Sequence, residues 1–251
     1  MPQTIHCEWG MAGLQALKPL CSVIIIVDVL SFSTAVDIAV ASGATVLPFP
    51  LGDRRAAEQA AARANAELAY PRSAQGGQYS LSPASLARIP AGTRLMLPSP
   101  NGSRLSFAAS AERAVLSGAL RNSKAVADAA LALANGGDIG VIPAGEMWPD
   151  GSLRPAIEDW LGAGAIIAAM QAARSSEAAL AAMAWHAAET GFPGMIRNAR
   201  SGIELSQRGY AGDIDIAIEH DASDTAPVLI DGAFRSVAEC RQQASPHPDQ
   251  A

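Results

Sequence analysis

Three short stretches hold the residues best able to do chemistry. In Asp28-Val29-Leu30-Ser31-Phe32-Ser33-Thr34 a carboxylate follows an apolar run, and hydroxyls begin the next element. Asp28 is a hard oxygen ligand for a cation such as Mg²⁺. Ser33 and Thr34, with the N–H groups of a helix start, suit a phosphate. The same residue types also cap helices without any ligand, so both readings stand at this point. In Pro98-Ser99-Pro100-Asn101-Gly102-Ser103-Arg104, the prolines stiffen a turn and Gly102 admits close backbone approach. Asn101, Ser103 and Arg104 then offer amide, hydroxyl and guanidinium donors to an anion. A strand-to-helix turn with Asn101 or Ser99 as its cap is the competing reading. The third stretch joins Glu146 and Arg154 to the adjacent pair Glu158 and Asp159. Neighbouring helical residues point about 100° apart, so at least one of that pair turns away from bulk water. Three acids and an arginine so close together suit a metal and anion site better than simple support of a helix dipole.

These stretches must be positioned by an alternating framework. Val23–Val27 is a β-branched run, the signature of a strand buried on both faces. The spacing of Phe32, Val36 and Ala39 predicts a helix over Ser31–Ser42, which Gly43 ends. A strand at Thr45–Phe49, a helix at Arg54–Asn65 and a strand at Glu67–Tyr70 complete a β-α-β-α-β pattern. Pro71–Gly92 reads as one long Gly-, Ser-, Gln- and Pro-rich loop, which inside a compact domain is usually functional. Strands at Thr93–Leu97, Arg113–Leu116 and Asp138–Ile142 then alternate with helices at Asn101–Ser110 and Asn122–Ala134. Three helices follow, over Pro155–Gln171, Ser175–Thr190 and Met195–Gln207, and a last strand at Val228–Ile230 extends towards Phe234. The expected fold class is α/β: a layered α/β/α domain over 1–251 with a mostly parallel or mixed sheet and a helical C-terminal part. A division into two lobes near 71–92 is the alternative, and 242–251 reads as a polar tail. In open sheets of this kind ligands bind beyond the carboxyl ends of the strands, where all three chemical stretches fall.

The 251 residues are 49% hydrophobic and 17% charged, enough apolar material for a large core. A net charge of −6 with only 5% aromatics argues against a nucleic-acid surface, so a bound anion must be small and held by local geometry. The three cysteines, Cys7, Cys21 and Cys240, form no metal-ligand or disulfide pattern. The first residues lack the basic and apolar regions of a signal peptide, and no apolar run is long enough to span a bilayer. The expectation is a cytoplasmic protein with no membrane partner. Walker, GxSxG and HExxH motifs do not occur, and Gly162-Ala163-Gly164 lies inside a helical pattern, where it cannot be a dinucleotide fingerprint.

Val27–Thr34, Pro100–Arg104, Gly145–Ala165 with Glu158-Asp159, and Ser201–Leu205 followed by Gly212–Ala217 together resemble the 2-phosphosulfolactate phosphatases (ComB-type phosphatases). The resemblance runs in order over roughly 23–230. It implies a magnesium-dependent phosphomonoesterase that converts 2-phosphosulfolactate to sulfolactate and phosphate, which in that family serves coenzyme M synthesis. Two departures are visible: Ser31 stands where the family carries Arg, and Arg72–Pro83 replaces a Gly-Phe and Asn-Ser-Pro signature. Combining both lines gives an expected Mg²⁺ set of Asp28, Glu146, Glu158 and Asp159, with Asp28, Glu158 and Asp159 as the catalytic acids. Ser33, Thr34, Asn101, Gly102, Ser103, Arg104 and Arg154 are expected to bind the substrate, a small phosphorylated acid. A non-catalytic module for a small anionic metabolite is the alternative. Trp160, Trp185 and the Ala-rich helices are available for a homodimer surface.

Overall fold

The computed structural model describes residues 2–72, 78–109 and 113–238. In chain order its elements are β1 (Thr4–Cys7), α1 (Gly10–Leu17), β2 (Val23–Val27), α2 (Phe32–Ala41), β3 (Thr45–Pro50), α3 (Arg54–Arg63), β4 (Glu67–Leu68), α4 (Pro83–Leu86), β5 (Arg94–Ser99) and α5 (Gly102–Ala109). After these come β6 (Ala114–Gly118), a 3₁₀ turn at Leu120–Asn122, α6 (Ser123–Ala134), β7 (Ile139–Pro143), the short hairpin β8 (Glu146–Met147) and β9 (Leu153–Arg154), α7 (Ile157–Ala169) and β10 (Ala173–Arg174). The chain closes with α8 (Ser176–Ala188), α9 (Phe192–Asn198), α10 (Arg200–Gln207), α11 (Ala211–Ala217), β11 (Pro227–Ile230) and β12 (Ala233–Ser236).

Ten strands form one mixed sheet in the order β10-β1-β7-β2-β6-β11-β12-β3-β5-β4, the α/β class expected from the alternation. The block from β10 to β6 is parallel, as is the block β3-β5-β4. The antiparallel pair β11–β12 bridges them through Val228 opposite Leu116 and Phe234 opposite Val46. β2 is central. Val23, Ile25 and Val27 pack into the cluster beneath α6, α7 and α8, while Ile24 and Ile26 enter the cluster on the opposite face with Leu14, Leu17 and Leu105. A β-branched run buried on both faces is what that position requires.

The two glycines in the α7 run are close-approach sites. A Cβ on Gly162 would lie 2.7 Å from a methyl of Val29, and one on Gly164 would lie 2.3 Å from the Ala181 carbonyl oxygen. α7 can therefore lie hard against both the β2 loop and α8, which fixes Glu158 and Asp159 beneath the sheet's carboxyl edge.

Several expected elements change form. Met195–Gln207 is two helices, broken where Ala199 takes an extended conformation (φ −67°, ψ 158°). The long loop contains α4, whose Leu86 is fully buried beside Tyr79. β1 carries no clear sequence signal, because a four-residue strand containing a histidine has too short a period to stand out. Trp185 is 3% exposed, packed against Phe192 and His220, so it supplies no dimer surface. The expected tail at 242–251 and Cys240 lie outside the described residues. Among the described residues no helix is long and apolar enough to cross a membrane.

Candidate active site

The loops after β2, β5 and β7 meet, and backbone hydrogen bonds to two acids tie them together. Asp28 Oδ2 accepts the Gly102 N–H at 2.7 Å, and the Phe32 N–H also donates to this carboxylate. Asp28 thus lies at the start of both α2 and α5. Asp159 Oδ1 accepts the Val29 N–H at 2.7 Å, and its Oδ2 accepts the Gly145 N–H at 2.9 Å. A Cβ on Gly102 would stand 2.3 Å from the Phe32 ring and 2.8 Å from Asp28 Oδ2, so only glycine permits this junction.

One expectation is corrected here. The helix-start N–H groups that were to hold a phosphate are already engaged. The Ser33 N–H donates to the Asp28 carbonyl, the Gly102 N–H to the Asp28 carboxylate, and the Ser103 N–H to Ser99 Oγ. The hydroxyls of Ser33, Thr34 and Ser103 donate to the carbonyls of Ile26, Val29 and Leu97, respectively. Asp28 itself fills the anion position that the two helix starts create, and the hydroxyls stiffen the loops beneath it. The acids expected to hold Mg²⁺, Asp28 with some of Glu146, Glu158 and Asp159, do not by themselves enclose an ion. Among the described residues no three His, Cys, Asp or Glu side chains stand close enough to enclose one ion. Asp159 has both oxygens on backbone N–H groups, which makes it a clamp between the β2 and β7 loops.

The remaining acids act on one another electrostatically. Glu158 is 2% exposed, and its Oε2 is buried with no hydrogen-bond partner, while Ser201 donates to the same side chain. Glu146 accepts the Asn101 amide on Oε2 at 2.9 Å. Burial and mutual repulsion push these acids up together. Asp28 rises to about 7, mainly through desolvation and then through Glu146. Glu158 and Glu146 rise through desolvation, and Asp159 rises through desolvation and its neighbour Asp28. So many raised carboxyls signal a site short of positive charge.

Arginines supply part of that charge. Arg154 is buried, 3.5 Å from Glu204 and 3.4 Å from Ser201 Oγ, and its charge acts on both Glu146 and Glu158. Arg104 stands apart on the exposed side of α5, beside a cavity of about 200 Å³ that it shares with Asn101 and Glu146. Two arginines were missed by sequence reasoning. Arg72 Nη2 donates to the Ser31 hydroxyl and to the Leu81 carbonyl (3.3 Å), and its charge acts on Asp28. This guanidinium, sent from the long loop, reaches the position where the family's arginine was expected and Ser31 stands. Asp213 holds it at 3.3 Å, the Tyr210 ring lies 5.5 Å beneath it, and the Tyr210 hydroxyl donates to the Arg72 carbonyl at 2.7 Å. The charge of Arg208 acts on Glu146. The signals available for Arg72 were the functional length of its loop and the vacancy at Ser31.

Buried acids and guanidiniums at the carboxyl ends of β2, β5 and β7 fit the handling of a phosphate ester, and a family profile agrees. The profile of 2-phosphosulpholactate phosphatase matches residues 14–232, most of the chain. The chain belongs to that family. 2-Phosphosulpholactate phosphatases are phosphoric monoester hydrolases, and every acid and arginine of the centre lies inside the matched span. No curated protein matches the chain at a significant level.

Proposed function

We propose that this 2-phosphosulpholactate phosphatase hydrolyses the phosphomonoester of a 2-hydroxy acid in a magnesium-dependent reaction, with 2-phosphosulfolactate as the reference substrate. The observation that carries this reading is the buried, unpartnered Glu158 Oε2 among mutually raised acids at the joined β2, β5 and β7 loops, with Arg72 reaching Ser31 there.

The donor set fits Mg²⁺, because Glu158 Oε2 is a buried hard oxygen without a partner, and Asp28, Glu146 and Glu158 stay raised despite the charge the arginines supply. Mg²⁺ commonly takes one or two carboxylates, with waters and phosphate oxygens filling its shell, so a protein cage is unnecessary. Asp28 and Glu158 would hold it. When bound, it would supply charge to the phosphoryl oxygens and to the developing alkoxide. Arg72 and Arg154 hold non-bridging phosphoryl oxygens in bidentate fashion, and Arg208 takes the substrate carboxylate. Glu146, raised towards neutrality and oriented by Asn101, gives a proton to the bridging oxygen as the P–O bond breaks and water adds to phosphorus. The products are the free hydroxy acid and inorganic phosphate. Asp159 and the Asp28 carboxylate keep the three loops in register while charge moves, and the Ser33 and Thr34 hydroxyls stiffen the β2 loop.

The decisive measurement is phosphate release from 2-phosphosulfolactate in Mg²⁺ and in EDTA. Turnover that needs Mg²⁺ and falls by roughly 100-fold or more in Asp28→Asn is expected. Undiminished turnover in EDTA removes the metal, and silence towards every 2-hydroxy acid phosphate removes the substrate class.

A further inference from the structure

A cavity of about 610 Å³ opens beside the centre at the carboxyl ends of β3, β4 and β5. Arg72 and Arg208 line it: Arg72, bonded to Ser31 and Asp213, marks the end nearest the centre, and Arg208 is exposed on the same side, its charge acting on Glu146. The rest of the wall is largely apolar, built from Leu51, Leu68, Tyr70, Leu81, Pro98 and Leu205. Leu51 is 61% exposed and Tyr70 43%, leaving large apolar surface in water at this one opening.

The two charged residues on this outer wall are already engaged with neighbours. The Arg54 guanidinium is stacked 5.2 Å over the Tyr70 ring and paired with Glu58 at 2.9 Å. Asp53 contributes a carboxylate, with one oxygen accepting the Arg55 and Ala56 N–H groups. A sulfonate placed against the leucines and Tyr70 would lose hydration to hydrocarbon, with Asp53 a like charge nearby. The volume also falls within the ~300–1,000 Å³ range of pockets that enclose drug-sized ligands, far more than a lactate-sized acid fills.

Building on the phosphatase reading above, we propose that this chain's preferred substrate is the phosphomonoester of a 2-hydroxy acid carrying an apolar, aryl-sized side chain in place of a sulfonate. The phosphate and carboxylate occupy the guanidinium end, and the side chain occupies the Leu51–Tyr70–Leu205 end.

The test compares kcat/KM of the full chain in Mg²⁺ for 2-phospholactate, 2-phosphosulfolactate and 2-phospho-3-phenyllactate. Burying one aromatic side chain should favour the phenyl ester over both others by about 10- to 150-fold. Ala57 is buried on the cavity wall, and Ala57→Phe fills the space and should collapse that ratio. Should that variant not fold, Leu51→Glu at the exposed mouth replaces it, with the same collapse expected. Equal rates for the three esters, a sulfonate preference, or a ratio unmoved in the folded variant would overturn the inference while leaving the phosphatase reading standing. Failure to hydrolyse any of the three would overturn both.

Discussion

Glu158 and Asp159 are adjacent acids on one helix, both nearly buried, yet their surroundings predict opposite responses to the same substitution. Glu158 Oε2 has no partner, so Glu158→Gln removes a desolvated charge without breaking a bond. Its thermal midpoint should hold or rise, while phosphate release falls by about 10- to 100-fold as a metal-holding oxygen is lost. Asp159 uses both oxygens on the N–H groups of Val29 and Gly145. An amide can accept from only one of them and turns its NH₂ towards the other, leaving a buried donor unpaired at a cost of about 1–3 kcal/mol. Asp159→Asn should therefore lower the melting midpoint by roughly 3–10 °C. Equal stability of the two variants in thermal melts would refute the division of roles. Residue types alone marked Asp28, Glu146, Arg154 and the Glu158-Asp159 pair as chemical. They did not separate clamp from ligand, because that depends on which N–H groups the folded loops present. Nor did they disclose that Asp28 occupies the anion position expected for phosphate, since a capping acid and a phosphate satisfy the same donors.

At the scale of elements, the long loop and the C-terminal helices act on the centre together. α11 presents Asp213 and the residue before it, Tyr210, to Arg72, and Ser82 at the start of α4 donates to Asp213 Oδ1. Asp213→Asn keeps the shape and the Ser82 contact but weakens the hold on the guanidinium proposed to bind the phosphoryl group. KM for the phosphoester should rise about tenfold with a smaller change in kcat, since a misplaced Arg72 chiefly weakens binding. An unchanged KM would mean that Asp213 serves packing alone. Replacing Arg72 by Ala is a poorer test, because it would leave Asp213 buried and unpaired. The β-branched strand, the helices flanking it and the glycine stops were legible because period and length agree there. The contact of α11 with Arg72 was not, since it joins residues more than a hundred positions apart through an arginine in an aperiodic loop. The bridge formed by β11 and β12 was likewise hidden: each joins its parallel block through a single residue pair, too little to leave a pattern in the sequence.

For the whole molecule, a chain of net charge −6 that handles a phosphate cannot rely on its overall field, and gathering acids around the anion site has a thermodynamic consequence. Asp28 rises from 3.8 to about 7, with Glu146, Glu158 and Asp159 raised beside it. The folded state therefore holds protons that the unfolded chain releases. A raised acid contributes stability that is complete below its unfolded pKa and is lost as pH climbs through the folded value. For Asp28 that window runs from about pH 4 to 7, and its side chain is too buried for solvent to screen the effect. The loss is on the order of 4 kcal/mol by linkage. The acids with lowered values, Asp150, Glu177 and Glu204, lie at the surface and act below this window. In EDTA the melting midpoint should thus fall between pH 5 and 8, opposite to the trend of an ordinary carboxylate-stabilised protein. A divalent ion bound to the ionised acids should recover much of that loss at pH 8, about 2.7 kcal/mol at a hundredfold excess over its dissociation constant, and do little at pH 5. Asp28→Asn should flatten the metal-free profile while lowering turnover by roughly 100-fold or more, because the carboxylate that lowers stability at neutral pH is the one proposed to hold the metal. Melts across this range with Mg²⁺ and with EDTA decide the matter. A midpoint that climbs from pH 5 to 8 without metal would show that these acids are not desolvated as their burial requires.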